Sequence, residues 1–211
     1  MKINEIFLSI QGEGKEVGML SWFIRCSGCN LRCKWCDSAY AFEEGKEMNI
    51  ESIKDSIPTD KCKNVIITGG EPFIQKDLLK LIKKLSNRNI YIETNGTIFD
   101  PFIIGFANIT VSPKLQFLNK EYIESLRKWS GFATFKFVIE DRKSFNDSIK
   151  LCNKLMLFEK TNNIYFMPEG ISSKKINANM KSITEWLKET GVNARISPRL
   201  QIYLWENKRG T

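Results

Sequence analysis

Short apolar runs alternate with amphipathic segments along most of the 211 residues, and this alternation constrains the fold more than any other feature. The runs at 6–10, 22–25, 64–68, 90–94, 109–112, 134–140, 164–167 and 194–197 have the length and β-branched content of strands. Between them lie apolar stripes of helical period. Ile50, Ile53 and Ile57 share a face behind Asn49 as N-cap. Leu78, Leu81, Ile82 and Leu85 make another stripe, as do Ile123, Leu126 and Trp129. Phe145, Ile149, Cys152 and Leu155 follow Ser144, and Met180, Ile183 and Leu187 come last. Each reads as a helix face turned to the core. Strand–helix alternation predicts a parallel sheet covered by helices. A closed eightfold barrel needs about 250 residues. The expected fold is therefore α/β, an abridged, incomplete (β/α) TIM-like barrel, in one domain over residues 1–211.

Six cysteines are present, and Cys26, Cys29, Cys33 and Cys36 fall within CSGCNLRCKWC. Such a cluster reads as a metal or cofactor site. Paired as Cys26-x2-Cys29 and Cys33-x2-Cys36, it would make a four-thiolate zinc site, although zinc knuckles usually stand a dozen or more residues apart. Read as Cys29-x3-Cys33-x2-Cys36, it gives three thiolates for an iron–sulfur cubane that keeps one iron open to a ligand. Cys26 is then spare. Cys62 and Cys152 stand alone and read as small buried hydrophobes. The chain has no histidine, which excludes His as general base, metal ligand or triad member.

Lys and Arg number 32 against 24 Asp and Glu, a net charge of +8. That balance suits an acidic partner. The basic residues are scattered, however, and Trp129 and Trp186 sit on apolar helix faces rather than between basic residues, so a nucleic-acid-binding surface is not expected. No apolar run approaches the ~20 residues of a membrane span. MKINEIFLSIQGEG lacks a signal-peptide pattern, so the expected compartment is the cytoplasm.

In a parallel sheet, function gathers at the C-terminal strand ends. The cysteine loop lies there. So do Thr68-Gly69-Gly70-Glu71-Pro72, Glu93-Thr94-Asn95-Gly96, Ser112-Pro113-Lys114 and Met167-Pro168-Glu169-Gly170. Any one of these is an ordinary turn sequence. Their recurrence at successive strand ends, beside the cysteine loop, is not explained by turns alone.

Cys29-x3-Cys33-x-Trp35-Cys36 resembles the signature of radical S-adenosylmethionine (SAM) enzymes, and Gly69-Gly70-Glu71-Pro72 resembles their second motif. Ser9-Ile10-Gln11-Gly12-Glu13-Gly14, Phe23-Ile24-Arg25, Gly28-Cys29-Asn30-Leu31, Trp35-Cys36-Asp37-Ser38 and the tail Ser197-Pro198-Arg199-Leu200-Gln201 are similar to the 7-carboxy-7-deazaguanine synthases. That resemblance covers nearly the whole chain. It implies a radical SAM barrel, a homodimer, a [4Fe-4S] cluster, SAM and Mg²⁺, and no catalytic residue beyond the cofactors. The implied reaction converts 6-carboxy-5,6,7,8-tetrahydropterin to 7-carboxy-7-deazaguanine by radical ring contraction with loss of ammonia, toward preQ0 and queuosine. An acidic flavodoxin or ferredoxin would supply the electron.

Residue roles follow from the matching positions. Cys29, Cys33 and Cys36 hold the cluster, and the Ser38 hydroxyl binds Mg²⁺ where the family usually has Thr. Ile10, Gln11, Gly12, Arg25, Thr68 and Thr211 meet the substrate, with Arg25 paired to its carboxylate. Trp35, Cys36, Asp37, Gly70, Glu71, Ser112, Pro113, Lys114, Met167, Pro168, Glu169 and Gly170 bind SAM. A glycyl-radical activase shares the cysteine spacing and is the competing enzyme reading. A zinc-stabilised nucleic-acid module is the non-enzyme one.

Overall fold

The computed structural model describes residues 1–161 and 163–211. Among these residues one sheet of nine strands runs through the molecule, in the order β3-β1-β2-β4-β5-β6-β7-β8-β9. The strands are β1 (Lys2–Ile10), β2 (Leu20–Cys26), β3 (Lys46–Glu47), β4 (Asn64–Gly69), β5 (Asn89–Thr94), β6 (Asn108–Val111), β7 (Thr134–Ile139), β8 (Ile164–Pro168) and β9 (Arg195–Ile196). From β2 to β9 every neighbour is parallel.

β1 departs from the expected parallel sheet. It pairs antiparallel with β2 and with β3. The connection 11–19 is too short for a crossover, which takes a dozen or more residues, so a hairpin is the geometry left. β1 also starts earlier than its apolar run, because Lys2 and Ile3 pair with Glu47 and Lys46. β3 is two exposed charged residues and carries no apolar signal.

The helices are α1 (Ile50–Asp55), α2 (Leu78–Lys84), α3 (Lys120–Trp129), α4 (Arg142–Leu155), α5 (Leu157–Lys160), α6 (Ser173–Thr190) and α7 (Leu200–Trp205). Asn49 caps α1 as expected, accepting from the Ser52 amide at 2.8 Å. At α4 the cap is Asp141 rather than Ser144. Asp141 accepts from the Ser144 amide at 2.7 Å, and the Ser144 hydroxyl accepts from the Asp141 amide at 3.0 Å, a reciprocal capping box. The short helices α5 and α7 are below the length at which a stripe becomes visible.

Period-two alternation along the strands divides the sheet into two chemically different faces. Ile24, Val65, Ile67, Ile92, Val111, Phe135, Phe137 and Phe166 are all fully buried against helix stripes such as Leu81, Leu126, Trp129 and Phe145. Trp129 meets Phe73 and Phe99 edge-on, with ring centres 5.4 and 4.8 Å apart. The residues in between face the concave side, where the polar Arg25, Thr68, Glu93, Thr110 and Lys136 stand among apolar neighbours such as Phe23, Val138 and Met167. Arg25 lies opposite Thr68 in register, and Glu93 lies opposite Thr110.

The sheet is open between its first and last strands. The segment after β9 crosses that gap. The Gly14 amide donates to Ser197 Oγ at 2.7 Å, and the Leu200 amide donates to the Gly12 carbonyl at 2.9 Å. A Cβ on Gly12 would lie 2.8 Å from the Gln201 backbone nitrogen, closer than a side chain tolerates, so glycine lets the two backbones meet at this seam.

Candidate functional site

A cavity of about 250 Å³ opens on the concave face at the C-terminal strand ends. Cys29, Cys33 and Cys36 line one side of it, as half-buried free thiols. Their loop leaves β2 and is pinned at its base. The Gly28 amide donates to the Ala41 carbonyl, and the Gly28 carbonyl accepts from the Glu71 amide, both at 2.8 Å. Cys29 Sγ accepts from the Leu31 amide at 3.4 Å. Burial pushes all three thiols up from their ordinary value, so ligation must displace protons. Cys26 turns into the core, wholly buried, and burial pushes its thiol up to about 12. It takes no part in the cavity. Cys62 and Cys152 are buried too.

These residues fit a three-thiolate cluster. Among the described residues no three His, Cys, Asp or Glu side chains converge on a point where a single ion would be held. A cubane spreads its thiolates over separate irons and suits that layout, whereas a zinc knuckle does not. The end of β4 also comes unusually close. A Cβ on Gly70 would lie 1.8 Å from the Gly28 carbonyl oxygen, so the glycine is required for this approach. Beside the cysteines, the Trp35 indole N–H is buried with no partner among the described residues.

The expected SAM positions divide. Trp35, Cys36, Asp37, Gly70, Ser112, Lys114, Met167 and Glu169 line the cavity. Lys114 Nζ donates to Ser112 Oγ at 2.7 Å and lies 5.4 Å from the centre of the Trp35 ring. Burial pulls its pKa down. Pro113 instead lines an adjoining cavity of about 440 Å³, together with Trp35 and Val138. Pro168 and Gly170 are not on the wall either. Pro168 is paired in register with Ile139, and the Gly170 carbonyl accepts from Arg199.

Glu71, expected beside SAM, is braced between two strand ends. Its carboxylate is wholly buried and accepts from the Phe73 amide at 3.0 Å, Thr94 Oγ1 at 2.7 Å and the Asn95 amide at 2.7 Å. Burial raises its pKa against these bonds. These bonds hold the β4 and β5 ends together beside the cysteine loop.

Ile10, Gln11, Gly12, Arg25, Thr68 and Thr211 line the same cavity. Arg25 Nε donates to Glu5 Oε1 at 2.7 Å, and one terminal nitrogen lies 3.4 Å from Ser38 Oγ. The other terminal nitrogen has no protein partner among the described residues. The Ser38 hydroxyl donates to Asp37 Oδ1 at 3.0 Å.

Sequence reasoning passed over a charged group in the cavity lining. Lys136, 4% exposed, donates to Glu13 Oε2 at 2.7 Å and to Glu93 Oε1 at 3.0 Å. Glu93 also accepts from Gln11 Nε2 and from Thr68 Oγ1, both at 3.2 Å. Glu13 Oε1 accepts from Arg199 Nε at 2.9 Å and from Gln201 Nε2 at 2.7 Å. Arg199 further bonds Asp37 of the cysteine loop. Burial pushes the Glu13 carboxyl up, but Lys136 and Arg199 outweigh it and hold the carboxyl well below the usual range. The signal available in the sequence was a lysine between Phe135 and Phe137, a charge at an inward position of a buried strand.

The sequence pattern of the radical SAM superfamily matches residues 23–172. A 7-carboxy-7-deazaguanine synthase from Thermoplasma acidophilum is 30% identical over 217 residues, covering 100% of both chains. One from Aquifex aeolicus is 33% identical over 205 residues, covering 94% of this chain and 90% of its own. The crystal structure of QueE from Escherichia coli matches with a TM-score of 0.71 at 24% identity, over 94% of this chain and 93% of that one. An incomplete barrel with three cysteines on a loop after a strand, facing a glycine-tightened strand end, defines a radical SAM enzyme, with a [4Fe-4S] cluster and SAM as its cofactors. Within that superfamily the chain belongs to the 7-carboxy-7-deazaguanine synthase family. Among the described residues no helix is long and apolar enough to cross a membrane.

Proposed function

We propose that this chain converts 6-carboxy-5,6,7,8-tetrahydropterin to 7-carboxy-7-deazaguanine with release of ammonia, a step toward preQ0 and queuosine. One observation carries the reading beyond family membership. The cysteines and a ring of fixed hydrogen-bonding side chains share one cavity of about 250 Å³. That lining of fixed donors and acceptors beside the cysteines supports a small polar heterocycle as substrate.

In this reading Cys29, Cys33 and Cys36 hold the cluster. Gly70, Ser112, Lys114, Met167 and Glu169 seat SAM beside Trp35 and Asp37. When bound, these cofactors supply a carbon-centred radical for hydrogen abstraction. The protein's task is placement and exclusion of water. The free terminal nitrogen of Arg25 takes the substrate carboxylate, which Glu5 aligns by holding Nε. Gln11, Thr68 and Glu93 present acceptors and donors to the ring edge. Ser38 Oγ, beside Asp37, offers the hard oxygen that Mg²⁺ prefers.

Residues 1–211 act as one domain, in the cytoplasm, as a homodimer. An acidic flavodoxin or ferredoxin delivers the electron, which the net charge of +8 supports. The test is anaerobic turnover of the reconstituted enzyme with SAM, dithionite, Mg²⁺ and 6-carboxytetrahydropterin. The expected products are 7-carboxy-7-deazaguanine and ammonia, with SAM not consumed stoichiometrically. Cleavage of SAM to 5′-deoxyadenosine without a deazaguanine would overturn the substrate.

A further inference from the structure

Two carboxylates reach one buried ammonium in the cavity wall, and they are held very differently. Glu13 is tied at both oxygens: Oε1 accepts from Arg199 and Gln201, and Oε2 accepts from Lys136. Arg199 and Gln201 come from the segment that closes the barrel seam, so Glu13 is a fixed anchor. Glu93 is the more exposed of the two, 24% against 13%. Its Oε2 takes one bond, from Thr68, and a carboxylate oxygen has room for two. Glu93 therefore has acceptor capacity left on the cavity side. Lys136 Nζ is the link between anchor and acceptor.

We propose that Lys136 is a positioning residue for substrate recognition, holding the Glu93 carboxylate against the Glu13 anchor so that it accepts from an adjacent ring N–H and exocyclic amino group. This rests on the substrate class proposed above. Without the ammonium, two like charges face each other across the space it filled, and Glu93 swings away from Glu13. The heterocycle then loses the acceptor that distinguishes an amino-substituted ring edge from an oxo-substituted one.

The test uses the reconstituted holoenzyme with SAM and Mg²⁺, and two non-reacting probes. These are 6-carboxypterin, which has the amino group, and 6-carboxylumazine, which has an oxo group in its place. Wild type is expected to prefer the pterin. Lys136→Met is expected to weaken pterin binding by about ten-fold, the size of one charge-assisted hydrogen bond. Binding of the lumazine should change by less than about two-fold, so the preference collapses. Glu93→Gln should give the same pattern, and the double variant should be no worse than the weaker single variant. Equal weakening of both probes, or additive losses in the double variant, would show a merely structural lysine and overturn the proposal. If Lys136→Met does not fold, Lys136→Gln, which removes the charge but keeps a polar side chain and leaves Glu13 and Glu93 charged, must show the same loss of preference. Its retention there overturns the proposal. A wild type that binds neither probe overturns the substrate reading itself, and this proposal with it.

Discussion

Glycine at position 70 and glutamate at position 13 each answer a constraint of an atom or two. Gly70 lies where any Cβ would be 1.8 Å from the Gly28 carbonyl oxygen. Gly70→Ala must push the Gly28–Cys29 backbone away, at an overpacking cost of about 1–3 kcal/mol. The expected outcome is a lower urea midpoint together with iron and sulfide below a full cluster per chain. A full cluster in that variant would contradict the close approach. Glu13 controls acid stability. Its folded-state pKa lies well below the ordinary 4.5 because Lys136 and Arg199 outweigh its burial. As pH falls through that window the unfolded chain takes up a proton that the folded chain refuses, so stability is lost with acid. The loss is about 1.4 kcal/mol per pH unit inside the window. Urea midpoints at pH 7 and pH 4 should differ less in Glu13→Gln than in wild type.

Between elements, the ends of β4 and β5 are joined by a side chain rather than by the ladder. Glu71 caps the turn after β4 through the Phe73 amide and receives Thr94 Oγ1 and the Asn95 amide from the end of β5. This brace sets Asn95 beside Cys29, whose Sγ lies 4.0 Å from Asn95 Nδ2. Glu71→Ala strands three donors, two of them buried, and each orphaned buried group costs about 1–3 kcal/mol. A destabilisation of about 3 kcal/mol or more is expected in urea unfolding. Glu71→Gln, which keeps an acceptor, should lose distinctly less. Equal losses in the two variants would mean that the cavity left by the side chain, and not the hydrogen bonds, carries the effect.

Over the whole molecule the sheet is open, and polar contacts rather than a strand ladder close it. Arg199 gathers Glu13 from the turn after β1, Asp37 from the cysteine loop and the Gly170 carbonyl from the end of β8. Three regions remote in sequence meet at one guanidinium, so closing the seam and shaping the cavity are one event. Arg199→Met is expected to speed amide exchange at Gly14 and Leu200, whose N–H groups bond across the seam. Exchange in the β4–β5 ladder should stay unchanged. Faster exchange throughout the sheet would mean that Arg199 supports global stability instead.

Much of this architecture was legible in the chain itself. The spacing of Cys29, Cys33 and Cys36 places three thiols on one loop, because a few residues of backbone cannot carry them apart. The alternation Phe135-Lys136-Phe137 and Ile92-Glu93-Thr94 places charge on the concave face, because successive strand side chains point to opposite sides. Asn49 begins α1 through a bond three residues long. What depended on folding is every relation between distant segments. The antiparallel start at β1 follows from a short connection that apolar runs do not reveal. The bonds that Glu71 accepts from Thr94 and Asn95 exist only because β5 lies beside β4. The anchor of Lys136 joins residues 13, 93, 136 and 199, which lie on separate strands and turns. Local spacing sets the direction in which a side chain points. Only strand pairing and closure of the barrel seam set what it meets there, because those contacts are made between surfaces the chain brings together last.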